Sequence, residues 1–410
     1  MKAIHHLCSL LVLIVGIELR ADNTTDAKPI IILISIDGCR WDYASKFSPP
    51  FLSSFATQGV RAESMVSCFP TKTFPNHYTM VTGLRPEDHG IIHNDMYDPS
   101  FDAVYNLYNG AVSESRWWGG EPIWVTAGKQ GMPSACMFWP GSQAEIEGRR
   151  PDIWLPYNGK VTNTERVQTV LSWLRRPQTE RPQIITLYFD IIDTIGHNFG
   201  PNSPEVGQAL MALDQNLGEL QEGVRELGLE PQVNYIITSD HGMTPISTQW
   251  RITLDEFVDP TSVQIDFSGE LMGLRPMDRN TEQLIAKFSG EHLHFNAYRR
   301  EDVPEHLHFS HNLRIPPVVL VPKIGWVINT RSNFANQDKN GWGNGGAHGF
   351  DPTESDMGAT FIATGPAIKK GVVIAPFENI HLYDLLCTLL HLQPAPNSGD
   401  HRLADQVLLP

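Results

Sequence analysis

Ile30-Ile31-Ile32-Leu33-Ile34-Ser35-Ile36-Asp37-Gly38 is a short, nearly unbroken apolar run that stops at an acid and a glycine. The pattern recurs. Ile184 to Phe189 ends in Asp190, with Asp193 and His197 close behind, and Tyr235 to Ser239 ends in Asp240-His241-Gly242. Val318 to Val321 and Thr360 to Ala363 are further runs of the same kind. Continuous rather than alternating apolar character marks strands covered on both faces. Helical stretches lie between some of them. The clearest is Glu205 to Leu227, with Val206, Leu210, Leu213, Leu217 and Leu220 at helical spacing. The sequence therefore predicts an α/β fold with a mainly parallel central sheet flanked by helices.

In such sheets, sites form beyond the carboxyl ends of the strands. Three strands thus deliver Asp37, Asp190, Asp193, His197, Asp240 and His241 to one edge, and a glycine-rich loop, Gly346-Ala347-His348-Gly349, is a fourth candidate. Aspartate and histidine without cysteine suit zinc or a similar divalent ion. Each fragment alone has an ordinary reading. Asp-Gly is usually a turn, and Asp193 and His197 could be a helix cap and a surface histidine.

A nucleophile candidate lies between the first two groups, in Phe69-Pro70-Thr71-Lys72-Thr73-Phe74-Pro75-Asn76-His77. Pro75 fits a first helical turn and Gly83 a helix stop. Thr73 then sits near a helix N-terminus, where exposed N–H groups favour negative charge. Alone it reads as a cap. Beside a metal its hydroxyl can be activated as a nucleophile.

The chain has 410 residues, 41% hydrophobic and 19% charged, with no low-complexity tract, which is a globular composition. Its net charge of −15 argues against tracking along a long nucleic acid. Residues 1–21 read as a secretory signal, with Lys2 before a short apolar core, leaving residues 22–410 as one catalytic unit. The run from Leu7 to Ile17 is too short for a bilayer span, which needs about 20 residues. No later segment suits a stable membrane span, so the expected location is secreted or periplasmic, and no oligomeric state is implied. Cys8 lies in the signal. Cys39, Cys68, Cys136 and Cys387 allow three disulfide pairings, and the absence of CxxC excludes a cysteine zinc ribbon. Residues from about 245 to 314 read as a polar insertion. Its histidines (His292, His294, His306, His308, His311) follow no strand end and read as solvated surface.

Taken together, Asp37-Gly38, Pro70-Thr71-Lys72-Thr73-Phe74-Pro75-Asn76-His77, Asp193-x-x-Gly196-His197, Ser239-Asp240-His241-Gly242-Met243 and Gly346-Ala347-His348-Gly349 resemble the nucleotide pyrophosphatase/phosphodiesterase family of the alkaline phosphatase superfamily. Leu84-Arg85-Pro86-Glu87-Asp88-His89-Gly90-Ile91 and Arg314-Ile315-Pro316-Pro317 agree, and the resemblance runs from about Pro29 to about Leu392. With no cysteine-rich module before this region and no nuclease-like domain after it, the chain resembles short secreted members, including bacterial ones.

The resemblance implies an alkaline-phosphatase-like fold and two zinc ions. One would be held by Asp37, Asp240, His241 and the Thr73 hydroxyl, the other by Asp193, His197 and His348. It implies that Thr73 attacks phosphorus, that a phosphothreonine forms, and that Asn94 binds a non-bridging phosphate oxygen. Phe74 and Tyr157 would sandwich a nucleobase, with Leu107, Trp139 and Pro140 lining the pocket. Lys72 would meet a distal phosphate or be solvated. The substrate implied is a small nucleotide or related phosphodiester, cleaved to a nucleoside 5′-monophosphate. The competing readings are a choline- or lysophospholipid-phosphodiester hydrolase of the same fold, which needs a cage for a quaternary ammonium, a phosphomonoesterase, which needs a further cationic group, and a non-catalytic binding protein. The global acidity does not forbid a phosphate ligand, because three aspartates against two divalent cations leave the site locally positive.

Overall fold

The computed structural model describes residues 28–290, 292–341 and 343–410. The expected signal segment lies outside them. Eight strands form the main sheet, in the order Val372–Ile374, Val60–Ala62, Phe361–Thr364, Val233–Thr238, Ile30–Ile36, Ile184–Phe189, Ser134–Met137 and Ile153–Leu155. The central strand, Ile30–Ile36, pairs in parallel with Ile184–Phe189 on one side and Val233–Thr238 on the other. In this sheet only Phe361–Thr364 runs against its neighbours. The mainly parallel sheet is thus as the apolar runs imply. Strand direction at that one position is set by the connection, which an apolar run does not encode.

Every residue of the central strand is buried, and its alternation feeds two cores. Ile31 and Leu33 pack with Tyr78, Trp124 and Leu385 on one face. Ile30, Ile32, Ile34 and Ile36 pack with Val167, Leu171, Leu210 and Leu217 on the other. This is why the run is unbroken: residues two apart share a face, and both faces are dry. The helix expected at Glu205 to Leu227 spans Pro204–Glu226. Ser203 caps it by accepting from the Val206 N–H, and Pro204 occupies the first turn. Its buried Asp214 accepts the N–H groups of Phe51 and Leu52 at 2.9 and 2.8 Å, capping the neighbouring helix Pro50–Gln58 from outside.

The region expected as a polar insertion carries structure of its own. Val263–Phe267, Met272–Pro276, Val318–Pro322 and Phe295–Arg299, in that spatial order, make a four-stranded antiparallel sheet. Leu254, Leu274, Phe288, Phe295, Val318 and Leu320 form its core. Val318 to Val321 therefore belongs here and not to the main sheet, and the small sheet reaches past residue 314. An apolar run reports burial without saying which sheet buries it. Arg314 fastens this region to the body. Its Nε donates to Asp98 Oδ2 at 2.6 Å, and its Nη1 donates to the carbonyls of Gly90 at 2.6 Å and Trp117 at 2.7 Å.

Among the described residues no cysteine is paired. Cys39, Cys68, Cys136 and Cys387 are buried free thiols, and burial pushes each thiol up to about 12. No described helix is long and apolar enough to cross a membrane.

Removing one partner of a buried ion pair leaves the other charge uncompensated. Arg314→Met is expected to lower the unfolding free energy by about 3–5 kcal/mol, read from denaturant midpoints. A loss below about 1 kcal/mol would show that the attachment does not rest on Arg314.

Candidate active site

The order of the central strands assembles the site. Asp37 leaves the end of Ile30–Ile36, Asp193 lies in the first turn of the helix Ile191–Phe199 that follows Ile184–Phe189, and Asp240 follows Val233–Thr238. Gly38 (φ +68°) allows the closest approach: a Cβ there would lie 2.9 Å from Asp193 Cα. The glycine-rich stretch before His348 forms the strand Gly345–Ala347, which pairs with Thr244–Ile246 just past His241. Among the described residues three groupings bring Asp and His ligand atoms within 4.8 Å of one another: Asp193 with His197 and His348, Asp37 with Asp193 and His241, and Asp37 with His77 and Asp240.

The backbone aims the imidazoles. His197 Nδ1 lies 2.8 Å from the Gly346 carbonyl, His241 Nδ1 2.8 Å from that of Gly242, and His348 Nδ1 2.8 Å from that of Thr71. A carbonyl only accepts, so each Nδ1 donates and each Nε2 presents a lone pair inward, as metal-binding histidines do. His197 and His348 then face each other at 3.1 Å between Nε2 atoms, a contact that a shared cation makes favourable. Asp37 Oδ1, Asp193 Oδ1, Asp240 Oδ2 and His241 Nε2 are buried without a hydrogen-bond partner. Four orphaned ligand atoms converging on one place are costly without a cation and satisfied by one. The donor set fits divalent metal.

The charges agree. Burial, reinforced by Asp240 and Asp193, holds the Asp37 carboxyl well above the usual carboxylate range. Asp240 is held below that range: burial opposes this, but His241 and His77 outweigh it. Burial likewise works to lower His197, yet Asp193 beside it raises the imidazole to about 9, so a cation taken by its Nε2 displaces a proton there. Burial pushes His348 well down, and His241 adds to this. His77 is no ligand of the same kind, because its Nδ1 contacts the Thr73 carbonyl and its Nε2 the Ser35 hydroxyl, both at 2.8 Å.

Thr73 opens the helix Thr73–Thr82, which Gly83 ends in the left-handed conformation (φ +68°). Thr73 shares one cavity of about 380 Å³ with Asp37, Asp193, His197 and His348. Phe74, Asn94, Leu107, Trp139, Pro140 and Tyr157 line the same cavity. Asn94 Oδ1 accepts the Phe74 N–H at 3.0 Å, which commits its oxygen and leaves its Nδ2 to donate. Trp139 is also core: it is buried and donates Nε1–H to the His77 carbonyl at 3.0 Å. Trp118 backs the Phe74 ring, with ring centroids 6.2 Å apart. Lys72 stands apart. It is not in the cavity wall, and its ammonium is held by Glu270.

Several residues that build the site carry no signal in the sequence beyond their place in a motif or strand. Asn76, fully buried, accepts from the Cys68 N–H and donates to the carbonyls of Cys68, Pro70 and Lys72, which fixes the loop before Thr73. Tyr188 donates its hydroxyl to Asp37 Oδ2 at 2.6 Å. Tyr157 donates to Asp190 Oδ2 at 2.8 Å, and buried Arg166 holds Asp190 Oδ1 at 2.9 Å. Asp190 thus braces an aromatic wall. The histidines from His292 to His311 enter no metal-capable grouping among the described residues. His294 stacks on Trp326, His292 on Phe295, and His306 pairs with Asp351.

Fold and site define a class: an α/β protein whose central strands hold a divalent-metal donor set beside a helix-borne threonine. Residues 31–351 match the model of the type I phosphodiesterase/nucleotide pyrophosphatase family. The chain belongs to that family, and with it to the alkaline phosphatase superfamily. Ectonucleotide pyrophosphatase/phosphodiesterase family member 1 of Homo sapiens is 39% identical over 93% of this chain and 42% of its own length. Venom phosphodiesterase of Naja atra is 38% identical over 93% of this chain and 46% of its own length. The chain spans less than half the length of these curated relatives. Among solved structures, murine ectonucleotide pyrophosphatase/phosphodiesterase 5, an inactive threonine-to-alanine variant in complex with AMP, superposes with a TM-score of 0.87 at 33% identity, covering 93% of this chain and 100% of that one.

A cation that binds only the folded state stabilises it by about 4 kcal/mol at a thousandfold excess over its Kd. Chelation is therefore expected to lower the thermal midpoint, and added zinc to restore it. A midpoint indifferent to both would contradict a metal site.

Proposed function

We propose that this protein is an exported, zinc-dependent phosphodiesterase. It hydrolyses phosphodiester and pyrophosphate bonds in nucleotides and related small substrates, and releases nucleoside 5′-monophosphates. The observation that carries the reading is the single cavity lined by Thr73, by Asp37, Asp193, His197 and His348 of the metal-capable cluster, and by the aromatic walls Phe74 and Tyr157. The AMP in complex with the murine neighbour is in keeping with a nucleotide ligand. Residues 22–410 act as one catalytic unit behind a signal at 1–21.

Asp37, Asp240, His241 and the Thr73 hydroxyl would hold one zinc ion, and Asp193, His197 and His348 the other. Bound there, two divalent cations lower the pKa of a coordinated hydroxyl and neutralise charge on the oxygens of an in-line displacement. The chain supplies the rest. Thr73 Oγ loses its proton and forms a bond to phosphorus as the bond to the leaving oxygen breaks. The leaving oxygen departs with the bonding electron pair. Water then attacks the phosphothreonine, the Oγ–P bond breaks, and the Thr73 hydroxyl is restored. Asn94 Nδ2 donates to a non-bridging oxygen where charge accumulates, a contact worth about 3 kcal/mol. The nucleobase lies between Phe74 and Tyr157, and Asp190 keeps the Tyr157 ring in place.

Thr73→Ala is expected to cut turnover by more than about a thousandfold while fold and metal content persist. Near-normal activity would remove Thr73 as nucleophile. Loss of one stacking wall costs about 1–3 kcal/mol, so Tyr157→Ala should raise KM for nitrophenyl thymidine monophosphate about 5- to 150-fold. A small aryl phosphodiester should be affected far less, and equal effects would argue against base stacking. Nitrophenyl phosphorylcholine and nitrophenyl phosphate, assayed alongside, should be poorer substrates. Preference for the choline ester would reverse the substrate assignment.

A further inference from the structure

A second cavity of about 280 Å³ has none of the aromatic walls Phe74, Trp139 and Tyr157 in its lining. His197 lines both cavities. An in-line displacement sends the leaving group away from Thr73, and Thr73 lines the first cavity and not the second. Arg251, Glu270, Asn198 and Gln337 are among its walls. Lys72, the cation next to the nucleophile, is committed to Glu270, and the two side chains are only 11% and 14% exposed. Arg251 Nη1 is paired with Asp338 Oδ1 at 2.8 Å, while its Nε and Nη2 are buried without a hydrogen-bond partner. Each of these two cations thus carries its own carboxylate.

Glu270 does not arrive by chance of a surface rotamer. It sits in the turn between Val263–Phe267 and Met272–Pro276 of the small sheet. Next to it, Gly269 exchanges both backbone hydrogen bonds with Ile328, at 2.9 and 2.8 Å. The small sheet therefore delivers a fixed negative charge to the second cavity.

We propose that the second cavity takes the leaving group and that Glu270 makes it electroneutral, so that the enzyme favours phosphodiesters with an uncharged leaving group, such as a nucleoside, over substrates that expel a polyphosphate. The inference rests on the phosphodiesterase reading above. A polyphosphate tail that reached the unpartnered Arg251 donors would still meet Glu270 and Asp338 as like charges, or would have to take Lys72 and leave the Glu270 carboxylate unpaired. A nucleoside leaves as a neutral alcohol: its oxygen keeps the P–O electron pair and gains one proton. The amides of Asn198 and Gln337 can hydrogen-bond its hydroxyls without any charge to oppose.

Adenylyl-(3′→5′)-adenosine and ATP test this directly. Both place the same adenosine 5′-phosphoryl group on Thr73, and they differ in expelling adenosine or pyrophosphate. The zinc-loaded wild type is expected to show a kcat/KM at least about tenfold higher for the dinucleoside, and Glu270→Gln should shrink that ratio about tenfold. Glu270→Ala should move the ratio in the same direction. The wild-type comparison requires no variant to fold. A wild-type preference for ATP, or a ratio indifferent to both substitutions, overturns the inference while leaving the phosphodiesterase reading intact. Turnover of neither substrate overturns that reading and this inference with it.

Discussion

Three carboxylates and three imidazole lone pairs are forced together at the carboxyl edge of the sheet, and the rest of the molecule holds them there. The crowding is unfavourable by itself, as the orphaned oxygens of Asp37, Asp193 and Asp240 show. It persists because each partner is fixed from behind. The parallel pairing of Ile30–Ile36 with both neighbours brings the aspartates to one level. Backbone carbonyls of Thr71, Gly242 and Gly346 fix the three histidine rings. Tyr188 fixes one Asp37 oxygen and leaves the other free. A stable core on both faces of the sheet tolerates this local cost, and divalent cations turn it into binding energy.

The two sides of the site differ in how they are built. On the side of Phe74 and Tyr157 the walls are aromatic, stiffened by a chain from buried Arg166 through Asp190 to Tyr157. On the other side the walls are polar and come partly from the small sheet, through Glu270, and partly from Arg251 on the strand Arg251–Thr253, which pairs with Val327–Asn329. The small sheet is thus a structural arm that reaches the centre as well as a covering. Its attachment through Arg314 to Asp98 and to the carbonyls of Gly90 and Trp117 keeps that reach constant.

Much of this was legible in the residues. The run Ile30 to Ile36 shows a doubly covered strand because burial on both faces removes any polar alternation, and the acids after three such runs mark the functional edge. Pro75 and Gly83 bracket the helix of Thr73 through local backbone preferences, which sequence carries well. What stayed hidden depends on partners far along the chain. The commitment of Lys72 to Glu270 and the brace from Arg166 to Tyr157 are tertiary contacts between residues with no shared pattern. The small sheet was obscured because its half-buried strands dilute the apolar signal, and Val318 to Val321 reads the same in either sheet. Thiol pairing was open in the sequence, and the structure shows four separately buried cysteines.

All of these features converge on one claim, that the cluster exists to make Thr73 a nucleophile in a double displacement at phosphorus. The stereochemical course tests it most directly. A single diastereomer of the thymidine nitrophenyl phosphorothioate, hydrolysed by the zinc-loaded protein in ¹⁸O-water, should give product with overall retention at phosphorus, since two in-line displacements each invert it. Overall inversion would mean that water attacks the substrate directly and would contradict the account.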